Sequence, residues 1–132
     1  MRRVAIVDDE ENIGRSLRFI LEHEGYAVTL FLSAADFRKS AEARRADVFL
    51  FDVCLPDGNG IGLLRELRQQ GIGAPVVMIS GHGTIPDAVE ATRAGAYDFL
   101  EKPLTRDRVL VALKNALENS ALRQENERLR EL

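Results

Sequence analysis

The sequence has 132 residues, of which 45% are hydrophobic and 30% charged, and this is enough for one globular domain with one hydrophobic core. The net charge of −3, from 18 basic and 21 acidic side chains, excludes a strong general attraction to nucleic acid, so we expect no direct nucleic-acid binding. A single cysteine, Cys54, excludes an intramolecular disulfide, and no apolar run could form a signal peptide or cross a membrane, so we expect a cytoplasmic protein without membrane contact.

Five short apolar runs alternate with amphipathic stretches along the chain. Each run is rich in β-branched or aromatic residues and has the length of a buried strand. The predicted strands are 3–7, 27–31, 48–52, 75–80 and a short one around 98–101.

The stretches between these strands predict helices. Ser33 is a predicted N-cap, and the helix after it should turn Phe37 and Ala41 toward the core. A later helix should begin near Thr84, because a proline two residues on suits the first turn. From Arg106 onward the sequence contains no helix breaker, which predicts one helix to the end of the chain.

Strands that alternate with helices through short connections predict a parallel sheet with helices on both faces and right-handed crossovers. Ligand sites in such sheets lie beyond the carboxyl ends of the strands. The polar residues at these predicted ends are Asp8, Asp9, Glu10, Asp52, Ser80 and Lys102.

Asp52 ends a fully apolar predicted strand, and a buried carboxylate without a partner costs several kcal/mol, roughly. Mg²⁺, which prefers hard oxygen ligands, could neutralise it together with Asp9, and the Lys102 ammonium is a second candidate neutraliser. A carboxylate beside a metal and an ammonium can attack phosphorus to form an acyl phosphate. Ser80 could then donate a hydrogen bond to the new phosphoryl group.

Four segments in this order, "VDDEEN", "FDVCLPDGNG", "VVMISGHG" and "DFLEKP", resemble the receiver domain of bacterial two-component response regulators over residues 1–118. The wording "GHGTIPDAVEATRAGAYDFLEKP" is similar to receivers of the nitrogen-regulation (NtrC-like) type, which precede sigma-factor activators. The resemblance implies an α/β, flavodoxin-like (CheY-like) doubly wound sheet of five parallel strands in the order 2-1-3-4-5, with an extended C-terminal helix.

The resemblance also implies roles for single residues. Asp52 would be the phosphoacceptor, supplied by a sensor histidine kinase, and Lys102 would bind the phosphoryl group. Ser80 would be the switch hydroxyl and Phe99 the aromatic switch residue. The Lys102–Pro103 peptide bond would be cis.

A magnesium site is implied in the same way. Asp9 would bind Mg²⁺ directly, and Asp8 would act mostly through water. Asp52 and the backbone carbonyl of Cys54 would complete the metal site. We further hypothesise that Cys54 and His82, at the rim of the site, tune phosphoryl lifetime through water access.

Residues 119–132 extend the last helix beyond what packing on the sheet requires. Leu122 and Leu129 are a heptad apart with charged residues between them, which allows a coiled coil, whereas a solvated extension is the simpler alternative. We expect a coiled-coil linker to an output domain absent from this sequence, and a homodimer formed through it or through the face of the fourth helix, fifth strand and fifth helix.

Three other functions are weighed against a signalling receiver. An aspartyl phosphohydrolase would have a second aspartate two residues after the nucleophile, where this chain has Cys54. A flavin-binding protein would not place the acidic "DDEEN" at a phosphate loop. An inactive receiver would not keep Asp9, Asp52, Ser80 and Lys102 together, so we predict a phosphoacceptor rather than an enzyme.

Overall fold

The central sheet has five parallel strands. The structure is a computed structural model that describes residues 1–82 and 84–131. Gly83 of the quoted "GHG" and Leu132 of the predicted tail lie outside the described residues. The strands are β1 (Arg3–Val7), β2 (Ala27–Phe31), β3 (Val48–Asp52), β4 (Val76–Ser80) and β5 (Asp98–Glu101). Their order, β2-β1-β3-β4-β5, confirms the predicted fold class.

Helices cover both faces of this sheet. They are α1 (Glu11–His23), α2 (Ala34–Arg38), α3 (Gly60–Gln69), α4 (Ile85–Ala94) and α5 (Arg106–Glu131). A 3-10 turn (Glu42–Arg45) follows α2, and a small antiparallel hairpin pairs Cys54–Leu55 with Gly58–Asn59 after β3. α4 begins as predicted, because Thr84 and Asp87 form a reciprocal capping box, and it ends at Gly95 in the left-handed conformation with φ of 103°.

The helix after Ser33 is shorter than predicted. The Ser33 hydroxyl accepts a hydrogen bond from Asp36 N at 3.1 Å, as an N-cap does, but α2 ends at Arg38 and Ala41 is exposed. The Ser40 hydroxyl accepts a hydrogen bond from Ala43 N at 3.2 Å and so starts a new turn, which buries Ala43 instead. The prediction that Ala41 faces the core was therefore wrong.

Two apolar layers hold the sheet in place, one on each face. Alternate residues of β3 point to opposite layers, as the pleat requires. Phe49 and Phe51 pack edge-on against Phe37 of α2, with ring centroids 5.9 and 5.3 Å apart. Leu50 belongs to the other layer, which includes Leu113 of α5. Because β3 is buried on both faces, its carboxyl end is rigidly placed.

The last helix, α5, extends beyond the sheet. Its buried side chains are confined to the first half: Val109, Ala112, Leu113, Ala116 and Leu117. Its 26 residues span about 39 Å, and every described residue from Ala121 onward is exposed. Among the described helices, none combines the length and the apolar character needed to traverse a bilayer.

Candidate functional site

The carboxyl ends of the strands bring the predicted polar residues to one edge of the sheet. Asp52 ends β3 and Ser80 ends β4, and both are buried. Asp8 directly follows β1 and is fully buried, and Lys102 follows β5. The strand register pairs Asp52 with Ile79, so Ser80 is the next residue on the neighbouring strand.

The Lys102 ammonium lies between three carboxylates. Its Nζ donates to Asp52 Oδ2 and to Glu10 Oε1, both at 2.8 Å, and lies 3.2 Å from Asp8 Oδ2. Burial disfavours the charge on Lys102, but the hydrogen bonds to Asp52 and Glu10 outweigh it and raise the pKa of the ammonium above its ordinary value. Lys102 is therefore cationic whenever the protein is folded near neutral pH.

Asp8 is the most deeply buried carboxylate of this cluster. Burial raises the pKa of Asp8 to about 6, against opposing effects of the Glu10 N–H, which donates to Oδ1 at 2.9 Å, and of Lys102. Oδ2 is buried and forms an ion pair with Lys102 Nζ at 3.2 Å, longer than the two hydrogen bonds that Lys102 makes at 2.8 Å. Because the same ammonium also binds Glu10 and Asp52, it neutralises Asp8 only in part, and a second cation could complete the neutralisation.

The acidic cluster has the composition of a cation site. One carboxylate oxygen each from Asp8, Glu10 and Asp52 lies within 4.8 Å of the other two. Three carboxylates face a single ammonium, so the ionised cluster carries excess negative charge. These residues could hold a metal ion with oxygen ligands.

The loop after β3 fixes the Asp52 carboxylate from the other side. Cys54 N donates to Asp52 Oδ1 at 3.1 Å, while Oδ2 receives the Lys102 hydrogen bond. Gly60, the first residue of α3, lies against the backbone of Asp52, and a Cβ at this position would be 2.0 Å from the Asp52 carbonyl oxygen. Only a residue without a side chain permits this close approach.

Asp57 anchors the same loop to a neighbouring helix. Its carboxylate accepts hydrogen bonds from Ala34 N at 3.0 Å and Ala35 N at 2.8 Å, at the start of α2. These bonds lower the pKa of Asp57 below its ordinary value. Sequence reasoning assigned Asp57 no role, because its partners lie more than 20 residues earlier in the chain.

The switch and rim residues lie in or just after the strands β3, β4 and β5. Ser80 Oγ accepts a hydrogen bond from His82 N at 3.3 Å, and the Ser80 carbonyl accepts one from Lys102 N at 2.8 Å. His82 and Cys54 are both exposed. Phe99 is half-buried and packs against the aromatic layer.

Three further features of the site bear on the sequence predictions. The Lys102–Pro103 bond is cis, as the resemblance implied. Asp9 is exposed, and its role as a direct ligand stays a prediction. Glu10 received no role from the sequence, yet it is the glutamate that contacts Lys102, and its place at the N-terminus of α1 directly after Asp9 was the available signal.

The chain is similar to known regulators along most of its length. The family model for the response regulator receiver domain matches residues 4–114. The transcriptional regulatory protein FixJ of Rhizobium meliloti is 43% identical over 88% of this chain and 57% of its own length. The nitrogen assimilation regulatory protein NtrX of Azorhizobium caulinodans is 40% identical over 98% of this chain and 29% of its own length. The chain thus spans little more than half of one relative and under a third of the other.

Solved structures agree in fold and sequence. The solution structure of the beryllofluoride-activated NtrC4 receiver domain dimer matches with a TM-score of 0.84 and 39% identity, covering 90% of this chain and 98% of that one. The crystal structure of NtrX from Brucella abortus matches with a TM-score of 0.90 and 38% identity, covering 97% of this chain and 30% of that one. With the strand order and the family match, these findings lead to one conclusion: the chain belongs to the response regulator receiver domain family.

Proposed function

We propose that this receiver domain takes a phosphoryl group from a sensor histidine kinase onto Asp52 and thereby controls an output domain that regulates transcription. The observation that supports this most directly is the environment of Asp52. It is a buried carboxylate whose two oxygens are held separately, Oδ1 by Cys54 N and Oδ2 by Lys102 Nζ. The regulatory role in transcription rests on the relatives, FixJ and NtrX.

In the proposed reaction, a phosphoryl group passes from a donor atom of the kinase to a carboxylate oxygen of Asp52. A carboxylate oxygen of Asp52 attacks the phosphorus, a new O–P bond forms, and the bond to the donor breaks with its electron pair leaving on the donor atom. Lys102 lies close enough to stabilise the charge of the transferred group, and Ser80 would donate its hydroxyl hydrogen to a phosphoryl oxygen. The exposed Cys54 and His82 would tune how readily water reaches the acyl phosphate.

Mg²⁺ fits the acidic cluster as the cofactor. Asp8, Asp9, Asp52 and the Cys54 carbonyl would hold it, while Glu10, the third member of the acidic cluster, would stay with Lys102. Several carboxylates share one ammonium, which gives a structural reason to expect a second cation there. When bound, Mg²⁺ supplies positive charge that neutralises the carboxylates and the phosphoryl oxygens.

Mg²⁺ affinity is expected to fall steeply with acidification. The pKa of Asp8 is raised to about 6, so below that pH the metal must displace a proton from the carboxyl group. For one proton, the apparent dissociation constant should rise about tenfold per pH unit below this value and level off above it. Calorimetric Mg²⁺ titrations on both sides of this pH measure the effect.

In the metal-free protein, Asp8 should change the stability with pH in the opposite direction from most carboxylates. Because the pKa of Asp8 is higher in the folded chain than its usual 3.8, the folded state binds the proton more tightly, and stability rises as the pH falls from about 6 toward 3.8.

An Asp8→Asn variant should lose the pH dependence of Mg²⁺ binding. An unchanged profile in that variant would contradict the assignment.

The conformational response is a shift between two pre-existing states. Contacts of the phosphoryl group with Ser80 would draw its loop inward, and Phe99, half-buried in this structure, would then become fully buried. Phe99 has no phenol oxygen, so its position in the switch depends on burial of the ring alone.

Self-association would transmit this change. Exposed apolar side chains lie on α4, before β5 and on α5: Ile85, Val89, Tyr97 and Val111. Leu122 and Leu129 are exposed on the part of α5 beyond residue 118. We propose residues 119–132 as a coiled-coil linker following the receiver domain of residues 1–118.

Phosphoryl analogue is expected to increase dimerisation. With Mg²⁺ and beryllofluoride, sedimentation should shift the chain from monomer toward dimer, because the phosphoryl-like group favours the associating state. Paired variants, Val89→Glu for the α4–β5–α5 face and Leu129→Glu for the extension, would identify the surface that carries the dimer. A monomer with and without the analogue would refute both surfaces.

A signalling role is proposed over an enzymatic one because Cys54 stands two residues after the acceptor, where a phosphohydrolase would need a second acid. We propose a cytoplasmic location, in keeping with relatives that regulate transcription.

The proposed function is tested by intact mass. After incubation with acetyl phosphate and Mg²⁺, the chain should gain the mass of one phosphoryl group, and a chelator should prevent the gain. A chain whose mass never changes, with metal and donor in excess, would overturn the proposal.

A further inference from the structure

Glu10 holds the ammonium that the phosphoryl group would need. Its Oε1 accepts a hydrogen bond from Lys102 Nζ at 2.8 Å, as short as the bond that Lys102 makes to Asp52. Within the described residues the Glu10 side chain does not cap α1, so this contact with Lys102 accounts for its orientation. The contact crosses 92 positions of the sequence, and no local helical geometry produces it.

Arrival of a phosphoryl group changes what Lys102 must bind. An ammonium has three N–H donors, and two of them donate to Glu10 and Asp52 while Asp8 Oδ2 lies at 3.2 Å. Once phosphorus is bonded to Asp52, the new negative oxygens lie beyond the carboxylate oxygen that Nζ contacts in this structure. Nζ must therefore turn outward from Asp52 toward the rim, where Glu10 binds it.

One of the three carboxylates can give way at little cost. Asp8 is fully buried, and its Oδ1 is fixed by the backbone N–H of Glu10. Asp52 is the residue to which phosphorus is bonded, so it stays in place. The Glu10 side chain is 55% exposed, so its carboxylate can return to water without an unpaired buried charge.

We infer that Glu10 is a positioning residue that holds Lys102 in the resting state and is displaced from the ammonium by the phosphoryl group. The inference rests on the proposed function, in which Asp52 carries phosphorus. Glu10 then slows phosphorylation, because its bond to Lys102 must break before the ammonium can bind the new group. It also keeps Lys102 oriented at the mouth of the site while the site is unphosphorylated.

The test compares phosphorylation rates of wild type and Glu10→Gln with acetyl phosphate at saturating Mg²⁺. In the measured step, Asp52 forms the O–P bond, the bond between phosphorus and the acetyl oxygen breaks, and acetate leaves with the electron pair. Glutamine keeps the shape and the backbone N–H that binds Asp8 but lacks the charge. We expect the rate of mass gain to rise by about two- to fivefold, the factor that corresponds to an ion pair with one exposed partner, here Glu10.

Two control variants separate the contact from general electrostatics. Glu11→Gln removes the same charge one residue away, at a side chain that pairs with Arg15 rather than Lys102, and should leave the rate near that of wild type. Glu10→Asp keeps the charge but is one methylene shorter, and should accelerate the reaction as Glu10→Gln does, because it no longer reaches Nζ.

Binding of beryllofluoride, followed by amide NMR shifts, gives a readout that does not depend on turnover. Its affinity should increase in Glu10→Gln by the same factor as the rate. Unchanged rate and affinity in Glu10→Gln, or a Glu10→Asp variant as slow as wild type, would overturn the role of Glu10 while Asp52 phosphorylation stands. A wild-type chain that never gains a phosphoryl group would overturn both.

Discussion

Replacing Lys102 by methionine is expected to destabilise the metal-free protein by about 3 kcal/mol near neutral pH. The ammonium is the counter-charge of buried Asp8 and Asp52, and methionine leaves these carboxylates together without it. Removal of one member of a buried ion pair is costly because the remaining charge stays desolvated. The loss should shrink below pH 6, roughly, where Asp8 becomes protonated and neutral.

Urea unfolding with and without Mg²⁺ measures this effect. Mg²⁺ should stabilise Lys102→Met more than it stabilises wild type, because the metal replaces the missing positive charge in the cluster. Lys114→Met, at an exposed position on α5, is the matched control and should change stability little. Equal stability of Lys102→Met and Lys114→Met would contradict the proposed role of Lys102 as the counter-charge of the site.

Gly60→Ala is expected to destabilise the fold by about 3 kcal/mol or more and to impair phosphorylation of Asp52. The added Cβ would lie 2.0 Å from the Asp52 carbonyl oxygen and 2.9 Å from its carbonyl carbon. Both atoms belong to the backbone of a strand that is buried on both faces, so neither can move aside as a flexible side chain would. Either α3 shifts away or the end of β3 does, and both changes displace the acceptor.

Gly62→Ala, two residues further along α3, provides the comparison. Nothing lies within 4 Å of a Cβ at Gly62, so alanine should act only through helix propensity and stabilise by up to about 1 kcal/mol. Opposite signs for the two substitutions in urea unfolding are the expected result. Similar effects at both positions would show that α3 does not pack on Asp52 as described.

The sheet could be predicted from the sequence because each strand is a short apolar run bounded by polar or turn residues. β1, β2, β3 and β5 begin and end at the predicted residues, and β4 begins one residue later, after Pro75. Apolar spacing does not define the length of a helix where side-chain hydrogen bonds decide it. After α2 ends at Arg38, the Ser40 hydroxyl accepts a hydrogen bond from Ala43 N and starts a new turn. This depends on the orientation of the hydroxyl, which apolar spacing does not reveal.

The same distinction holds in the site. Asp52, Ser80 and Lys102 each lie at or next to the end of a strand, and the parallel topology alone brings such ends together. Glu10 and Gly60 could not be assigned, because their roles arise from loop packing. Glu10 reaches Lys102 across 92 positions, and Gly60 meets the backbone of Asp52 only once the hairpin after β3 has folded.

The central claim is that Asp52 itself becomes an acyl phosphate, and locating the phosphoryl group tests this most directly. Borohydride reduces an aspartyl phosphate to homoserine with release of phosphate, so the modified position survives digestion and can be identified by peptide mass spectrometry. After treatment with acetyl phosphate and Mg²⁺, we predict homoserine at Asp52 in the wild-type chain and none at that position in Asp52→Asn. Homoserine at another aspartate, such as Asp9 or Asp57, with Asp52 unmodified, would contradict the account.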